Sequence, residues 1–377
     1  MKKIVSSLVC IVMILQCGAY SASASPARQM CSVSAQLAAI VELKSGRLIG
    51  GKAENERASM ASTTKIMTSL LLCENADLDE EITVTEKMTA VEGTSMGLMP
   101  GDKVHYRDLL YGMLLASGND AANAAAISIA GSIENFARMM NSRAAQIGMK
   151  NTNFVTPSGL DEEQHYSTAY DMALLACEAM KNADFAAACA SSRATLEYGN
   201  PPYKRTLTNH NKLLKMYEDC VGIKTGFTKK SGRCLVSCAV RDGKGVVAVT
   251  LNAPDDWNDH IAMLDYGLGE LETRQLSVPQ LNAVKAVGGT KPSVSVSAAA
   301  PDASLLPEDF ERVTSHIYIQ DILFAPINEG ETVGSIEWRL DGVTVAGTDI
   351  TVVSSVPTKY DSDRRNYKYW LKRMLSA

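Results

Sequence analysis

Apolar residues between positions 30 and 272 recur at helical spacing in one long central block, which strand-like segments flank on both sides. Two apolar stretches around a polar turn at residues 44–47 predict a β-hairpin over Ala35–Gly51. Predicted helices follow at Ser62–Cys73, Tyr106–Ala116, Asp120–Gly131, Ser132–Ile147 and Ser167–Met180, and predicted strands at Gly222–Phe227, Cys234–Val240 and Val246–Leu251, before a last helix at Asp259–Leu268. This order predicts an α+β fold, in which one antiparallel sheet packs against a helical cluster.

The pattern changes after about Thr273, where helical spacing stops. A segment rich in Ser, Ala and Pro runs from Pro292 to Pro307. Short alternating strands are predicted after it, at Ser315–Gln320, Val333–Leu340, Val343–Val345 and Ile350–Val353. We therefore expect a small all-β domain over residues 273–357, behind a larger domain over residues 30–272.

The N-terminus has the pattern of a secretory signal peptide. Two lysines precede an apolar run from Ile4 to about Ala19, and the small residues 22–24 follow as a cleavage site. Gln16 disfavours lipidation of Cys17, because a lipoprotein signal carries a small residue there. We expect residues 1–24 to be removed and the mature protein to be extracytoplasmic.

The last segment, residues 361–377, predicts a basic amphipathic helix. Its apolar residues recur at i, i+3, i+4, i+7 and i+8, at Tyr367, Trp370, Leu371, Met374 and Leu375. Its basic residues take the remaining positions, at Arg364, Arg365, Lys368, Lys372 and Arg373. This pattern is typical of a helix that lies on an anionic membrane surface. The alternative is a helix that docks on its own β domain.

Composition narrows the class of protein. The 377 residues include 46% apolar residues, which excludes wholesale disorder, and 37 basic against 42 acidic residues give a formal charge of −5. That balance argues against a nucleic-acid partner. Seven cysteines follow the signal segment, an odd number without the spacing of a zinc site, and we expect most to be buried thiols.

Three short motifs carry the candidate chemistry. They are Ser62-Thr63-Thr64-Lys65 at the start of a predicted helix, Ser117-Gly118-Asn119 between two helices, and Lys224-Thr225-Gly226 on a predicted strand. Each is weak alone, but their order and structural context together are the signature of penicillin-binding proteins and class A β-lactamases.

The residue types fit a serine nucleophile with a lysine base. Ser62 and Lys65 are three positions apart, so their polar ends can meet on one helix face. A serine hydroxyl needs an adjacent base, and no histidine lies near these motifs in the sequence. Lysine is a base only when neutral, and burial beside a second cation, Lys224, favours that form. The helix N-terminus stabilises charge on Ser62, and the backbone N–H groups of Ser62 and Phe227 are candidate donors to the oxyanion.

The chain resembles the serine-type D-alanyl-D-alanine carboxypeptidases, the low-molecular-mass penicillin-binding proteins. The resemblance extends over residues 61–68, 117–121, 156–160, 165–172, 222–228 and 325–334. It implies the transpeptidase-like fold shared by penicillin-binding proteins and β-lactamases, followed by the β domain and the amphipathic tail.

The resemblance also implies an activity and a set of roles. The substrate would be a peptidoglycan stem pentapeptide that loses its terminal D-alanine through an acyl-enzyme on Ser62, and β-lactams would acylate the same serine. Lys65 would be the general base, and Ser117 and Lys224 would pass a proton to the leaving amine. Asn119 would orient the substrate and Lys65. The substrate-binding residues would be Lys224, Thr225, Gly226 and Phe227, and no metal or organic cofactor is needed.

One departure and three alternatives remain at this point. Relatives often carry an arginine for the substrate carboxylate shortly after the strand that ends near Leu251, but residues 255–259 contain none. A β-lactamase is one alternative, although no E-x-x-L-N segment lies between Ser117 and Lys224 and only Glu162 and Glu163 are near. A D,D-endopeptidase and a catalytically inactive wall-peptide-binding protein are the others.

Overall fold

The computed structural model describes residues 30–359, 370–372 and 374–375. Its first part, up to residue 271, contains nine strands and nine helices. The strands are β1 (Leu37–Glu42), β2 (Leu48–Lys52), β3 (Glu81–Thr83), β4 (Lys103–His105), β5 (Arg193–Gly199), β6 (Pro202–Thr208), β7 (Cys220–Thr228), β8 (Gly232–Arg241) and β9 (Lys244–Leu251). The helices are α1 (Lys65–Asn75), α2 (Glu86–Thr89), α3 (Tyr106–Leu114), α4 (Asn119–Ala130), α5 (Ile133–Ile147), α6 (Ala169–Ala179), α7 (Ala183–Ala190), α8 (Leu213–Met216) and α9 (Asp256–Glu270).

A five-stranded sheet in the order β2-β1-β9-β8-β7 forms the centre, and every pairing in it is antiparallel. Its side chains alternate between two cores, because successive strand residues point to opposite faces. Leu37, Ala39 and Val41 of β1 pack into the core that contains the helical cluster, whereas Ala38 and Ile40 pack beneath α9. The α+β prediction is therefore confirmed.

A second sheet, in the order β3-β4-β5-β6, was not predicted from the sequence. β3 and β4 have three residues each, too few to show a period. The hairpin of β5 and β6 lies at the surface, and for most of its length exposed residues, largely polar ones, alternate with partly or fully buried ones. This sheet lies beside the helical cluster, and Tyr198 of β5 is fully buried in the same core.

The segment predicted as one helix from Ser62 is divided into two parts. Ala61–Thr64 form a 3-10 turn, and α1 begins at Lys65. Side chains three positions apart lie almost directly above one another in a 3-10 turn. The division therefore brings the side chain of Ser62 toward that of Lys65.

The second part of the described chain consists of strands around a core of its own. The strands are β10 (Glu272–Gln275), β11 (Val284–Val287), β12 (Ser293–Val294), β13 (Val296–Ala298), β14 (Asp302–Leu305), β15 (Thr314–Ile319), β16 (Ile322–Phe324), β17 (Thr332–Leu340) and β18 (Val343–Val352). Ile336, Trp338 and Ile350 are central in its core. The two short strands predicted between Val343 and Val353 are one strand, β18, in which the connecting residues 346–349 continue the alternation, with exposed positions between partly buried ones. A 3-10 helix at Pro307–Arg312 was also not predicted.

Three sequence predictions concern the termini and the cysteines. The signal segment, residues 1–24, and most of the predicted tail helix lie outside the described residues. The described tail residues are helical, with Trp370, Met374 and Leu375 exposed by 58%, 69% and 81%. No helix in the described ranges is long and apolar enough to cross a membrane. The seven cysteines after the signal segment are free, and five of them are buried.

Candidate active site

The three motifs meet in one cleft of about 560 Å³ between the start of α1, the α3–α4 turn and the edge strand β7. Six of the eight residues predicted from the sequence line it, namely Ser62, Ser117, Asn119, Thr225, Gly226 and Phe227. The other two, Lys65 and Lys224, are buried beneath its floor. Residues 117 and 224 are far apart in sequence, and the packing of β7 against the helical cluster brings them together.

Lys65 lies in hydrogen-bonding contact with Ser62. Its Nζ atom is 3.0 Å from Oγ of Ser62, and it also donates to Oδ1 of Asn119 and to the backbone oxygen of Ser158, both at 2.7 Å. Burial lowers the pKa of Lys65 well below its ordinary value, and the charge of Lys224 lowers it further, whereas Asp120 acts in the opposite direction. The contacts and the lowered pKa together favour an uncharged amine next to the serine hydroxyl.

Lys224 extends from β7 toward the same floor. Burial alone lowers its pKa to about 7, and its Nζ donates to the backbone oxygen of Thr225 at 2.9 Å. Lys224 is therefore only partly charged at neutral pH. It fits a group that gives or takes a proton there better than a permanent charge.

Asn119 is held from three directions at the first position of α4. Its Nδ2 donates to the backbone oxygen of Glu92 at 2.6 Å, and its backbone N–H donates to that of Thr94 at 2.7 Å. The residue at the bend before it, Ser117, has φ +58°. A non-glycine residue in this left-handed region is strained, and such strain is common at functional sites. The hydroxyl of Thr94 donates to the backbone oxygen of Ser117 at 2.6 Å and fixes the bend.

Two glycines allow neighbouring segments to lie directly against the 3-10 turn. A Cβ atom at Gly226 would come within 3.1 Å of the backbone nitrogen of Ser62, so β7 packs on the backbone of Ser62. A Cβ atom at Gly159 would come within 1.9 Å of the backbone oxygen of Ala61, and Gly159 has φ +85°. Only glycine fits at position 159 without moving one of the two segments.

Histidines lie closer to the motifs than the sequence indicated. His165 Nε2 is 2.8 Å from Oγ1 of Thr64, and His210 lines the cleft. The Nδ1 atom of His165 accepts the backbone N–H of Val155 at 2.9 Å, so the neutral ring must carry its proton on Nε2 and donate to Thr64. Both nitrogens of His165 are thus occupied. That the site is not a Ser-His-Asp arrangement stays a prediction, and the fold brings His165 and His210 near motifs from which they are distant in the sequence.

Sequence reasoning missed several groups at the site. The backbone oxygen of Ser158 bonds to Lys65, and the one signal for it was the family-like segment at residues 156–160 that contains Gly159. Arg233 and Trp257 also line the cleft, so a cation does reach it although residues 255–259 contain no arginine. Among the described residues, no group of three or more His, Cys, Asp or Glu side chains could hold a metal ion.

Comparisons with known proteins place these features beside characterised relatives. The family model described as D-alanyl-D-alanine carboxypeptidase matches residues 21–255. The D-alanyl-D-alanine carboxypeptidase DacF of Bacillus subtilis is 31% identical over an alignment of 100% of this chain and 98% of the relative. The structure of penicillin binding protein 5 from Haemophilus influenzae superposes with a TM-score of 0.63 at 26% identity, over 87% of this chain and 99% of the other. The structure of the Streptomyces K15 DD-transpeptidase superposes with a TM-score of 0.61 at 31% identity, over 64% of this chain and 99% of the other.

Proposed function

The chain belongs to the D-alanyl-D-alanine carboxypeptidase family, a family of serine hydrolases, and we propose that Ser62 is the nucleophile that takes the acyl group from a peptidoglycan stem peptide. One observation carries the proposal: the Nζ atom of the buried Lys65 lies 3.0 Å from Oγ of Ser62, with a second buried lysine behind it. Lys65 is the general base, and the scissile bond joins the last two D-alanines.

The hydrogen bonds of Lys65 fit a neutral amine. Such an amine has two N–H bonds and one lone pair, and two of its three neighbours, Oδ1 of Asn119 and the backbone oxygen of Ser158, can only accept. The two N–H bonds therefore go to these oxygens, and the lone pair points to the hydroxyl of Ser62. As Oγ bonds to the carbonyl carbon of the penultimate D-alanine, its proton moves to Lys65.

The tetrahedral intermediate then needs donors for its oxygen and a proton for the leaving amine. The backbone N–H groups of Ser62 and Phe227 are the proposed oxyanion donors, and Gly226 allows β7 to come this close. Ser117 and Lys224 pass the proton to the departing nitrogen, so that D-alanine leaves as an amine and the acyl group stays on Ser62. Water hydrolyses the ester and regenerates the hydroxyl.

β-Lactams follow the same first step. The ring carbonyl acylates Ser62, but the leaving nitrogen stays tethered to the acyl group after the ring opens. We propose that this adduct is long-lived, because the described cleft lining contains no glutamate to position a hydrolytic water as in class A β-lactamases.

The location and boundaries of the enzyme are part of the proposal. Residues 1–24 direct export, residues 30–272 form the catalytic domain and residues 273–357 the β domain. Residues 361–377 hold the protein on the outer face of the membrane. The exposure of Trp370, Met374 and Leu375 supports a lipid contact for the tail rather than docking on the β domain.

The test combines two measurements on the mature protein. Mass spectrometry after penicillin exposure should find one adduct, on the peptide that contains Ser62, and a pentapeptide ending in D-Ala-D-Ala should release D-alanine. Ser62→Ala should abolish both, whereas Ser297→Ala, an exposed serine of β13, should change neither. Rapid penicillin turnover without D-alanine release would instead identify a β-lactamase. An absence of both would identify a binding protein.

A further inference from the structure

The cleft must hold the negatively charged end of its substrate, and this requirement directs attention to its cations. Lys65 and Lys224 lie under the floor, and burial lowers the pKa of both. Among the described residues that line the cleft, Arg233 is the one arginine or lysine. A guanidinium keeps its charge at every pH at which the enzyme would work.

The sheet register places Arg233 beside a residue already expected to hold the substrate. In the β7–β8 ladder, Thr225 pairs with Leu235 and Phe227 pairs with Arg233. Paired residues of antiparallel strands share a face, so the side chains of Thr225 and Arg233 lie on the same face as diagonal neighbours. That separation, typically about 7–8 Å between backbones, is one that an arginine side chain can span.

Two neighbours fix the guanidinium in this position. Oδ1 of Asp256, a buried side chain, accepts from Nε of Arg233 at 2.9 Å and from Nη2 at 2.5 Å. The ring of Trp257 lies against it, with 5.6 Å between the guanidinium carbon and the ring centre. Asp256 and Trp257 both line the cleft as well. Arg233, whose side chain is 44% exposed, is therefore pre-oriented at the cleft wall by Asp256 and Trp257.

The bonds to Asp256 use only one of the two donor edges of the guanidinium. Nε and Nη2 form that edge, and Nη1 with the second hydrogen of Nη2 forms the other. Arginine binds carboxylates through such an edge with two parallel hydrogen bonds. The charge of Asp256 offsets part of the charge of Arg233, so recognition here depends mainly on directional hydrogen bonds.

We propose that Arg233 binds the C-terminal carboxylate of the substrate together with the hydroxyl of Thr225, and that Asp256 and Trp257 are positioning residues for its guanidinium. The inference rests on the proposed function, since it concerns the carboxylate of the same peptide. Relatives often carry the carboxylate-binding arginine shortly after the strand that ends near Leu251, where residues 255–259 of this chain contain none. The inference assigns that role to an arginine of β8 instead.

The experiment compares two substrates in four proteins. The substrates are a diacetylated L-Lys-D-Ala-D-Ala peptide and its C-terminal methyl ester, which lacks the carboxylate. The proteins are the wild type, Arg233→Gln, Arg233→Lys and the control Arg241→Gln. Arg241 lies at the opposite end of β8, paired with Asp219 and Asp265 and outside the cleft.

Arg233→Gln should lower kcat/KM for the free acid by about ten- to a hundredfold and leave the ester within about twofold, because only the acid loses charge-assisted hydrogen bonds. Arg233→Lys keeps the charge without the planar edge. Its kcat/KM for the free acid should lie between that of the wild type and that of Arg233→Gln. Arg241→Gln should keep the wild-type ratio of acid to ester. The rate on the methyl ester, which has no carboxylate to bind, reports whether the catalytic groups of each variant are intact.

Two results would overturn the inference. In the first, Arg233→Gln lowers the rates for acid and ester in parallel, which is the result for a purely structural ion pair with Asp256. In the second, the ratio of acid to ester stays at the wild-type value with full activity. A wild-type protein that releases no D-alanine and takes no penicillin label would overturn the proposed function itself, and this inference with it.

Discussion

The Nζ atom of Lys65 donates to Oδ1 of Asn119 at 2.7 Å, although the two residues are 54 positions apart and lie on different helices. The amide is fixed at its other end, where Nδ2 donates to the backbone oxygen of Glu92. Asn119 thus presents an uncharged acceptor to the lysine. A carboxylate at this place would bind as well but would hold the lysine in its charged form.

Asn119→Asp should therefore slow acylation by raising the pKa of Lys65. A negative charge at this distance commonly shifts a pKa by about 1–3 units, and each unit is a tenfold loss of neutral amine. We expect penicillin acylation to fall at least about tenfold at neutral pH and to recover as the pH rises. Stopped-flow acylation rates across pH test this. The control is Asn135→Asp, an exposed change on α5. If the rise of the acylation rate with pH occurred at the same pH in Asn119→Asp as in the wild type, the role of Lys65 as base would be contradicted.

The pH dependence of D-alanine release should report the two lysines as a pair. The rate should rise as Lys65 loses its proton and fall as Lys224, with a pKa of about 7, loses the charge that serves the leaving amine. In Lys224→Gln the positive neighbour is absent, so the pKa of Lys65 should rise. The rising part of the pH profile, the acid limb, should therefore move to higher pH. The fall near pH 7 should disappear, and the maximal rate should drop by about 10²-fold or more.

The control for this profile is Lys230→Gln, which removes an exposed lysine from the turn between β7 and β8. Its limbs should coincide with those of the wild type. If Lys224→Gln also left both limbs in place, the charge of Lys224 would have no effect on Lys65, and the coupling between the two amines would be refuted.

Deleting residues 363–377 should release the protein from anionic vesicles. The segment carries five Arg and Lys residues, and each contributes roughly 1 kcal/mol near an anionic surface, in addition to burial of the apolar side. Binding of the full mature chain should weaken with salt and be poor on neutral vesicles. D-alanine release from a soluble peptide should be the same with and without the tail. Undiminished binding after the deletion would show that another surface holds the membrane.

The parts of the site that sequence could predict are those set by local spacing. Ser62 and Lys65 meet because about one helical turn separates them. Asn119, the last residue of its motif, is the first residue of α4, close to the helix start that the sequence predicts. The acceptor at Ser158 could not be predicted, since every residue has a backbone oxygen and the fold alone decides which one reaches Lys65. Arg233 escaped for a related reason: its place at the cleft depends on the β7–β8 register, which a strand prediction does not give.

The same distinction separates the predicted strands from the missed ones. The centres of β8 and β9 are buried on both faces and consist mostly of apolar residues, so these strands were predicted within a few residues. β7 was predicted equally closely, although it contains Lys224 and the exposed Phe227. β5 and β6 have one exposed face that carries mostly polar residues, and their stability comes from packing of residues such as Tyr198 on the helical cluster. That contact is tertiary and leaves only a weak trace in the sequence.

Gly159→Ala tests whether the approach of the 156–160 segment positions the nucleophile. The added Cβ would collide with the backbone oxygen of Ala61 and crowd Oγ1 of Thr64, so the 3-10 turn that carries Ser62 must shift. The bond from Lys65 to the neighbouring Ser158 would shift with it. We expect a loss of about 2–5 kcal/mol in the free energy of unfolding, from left-handed strain and overpacking together, and a loss of at least about tenfold in acylation.

The matched control is Gly148→Ala, at the end of α5. Gly148 has φ +92°, close to the +85° of Gly159, but a Cβ atom there meets nothing within 4 Å. It should therefore cost only the strain of the left-handed backbone, about 1–2 kcal/mol, and leave penicillin acylation unchanged. Urea unfolding and acylation rates on both variants separate strain from collision. Equal losses of stability in the two, with wild-type acylation in Gly159→Ala, would mean that the turn carrying Ser62 does not depend on this contact.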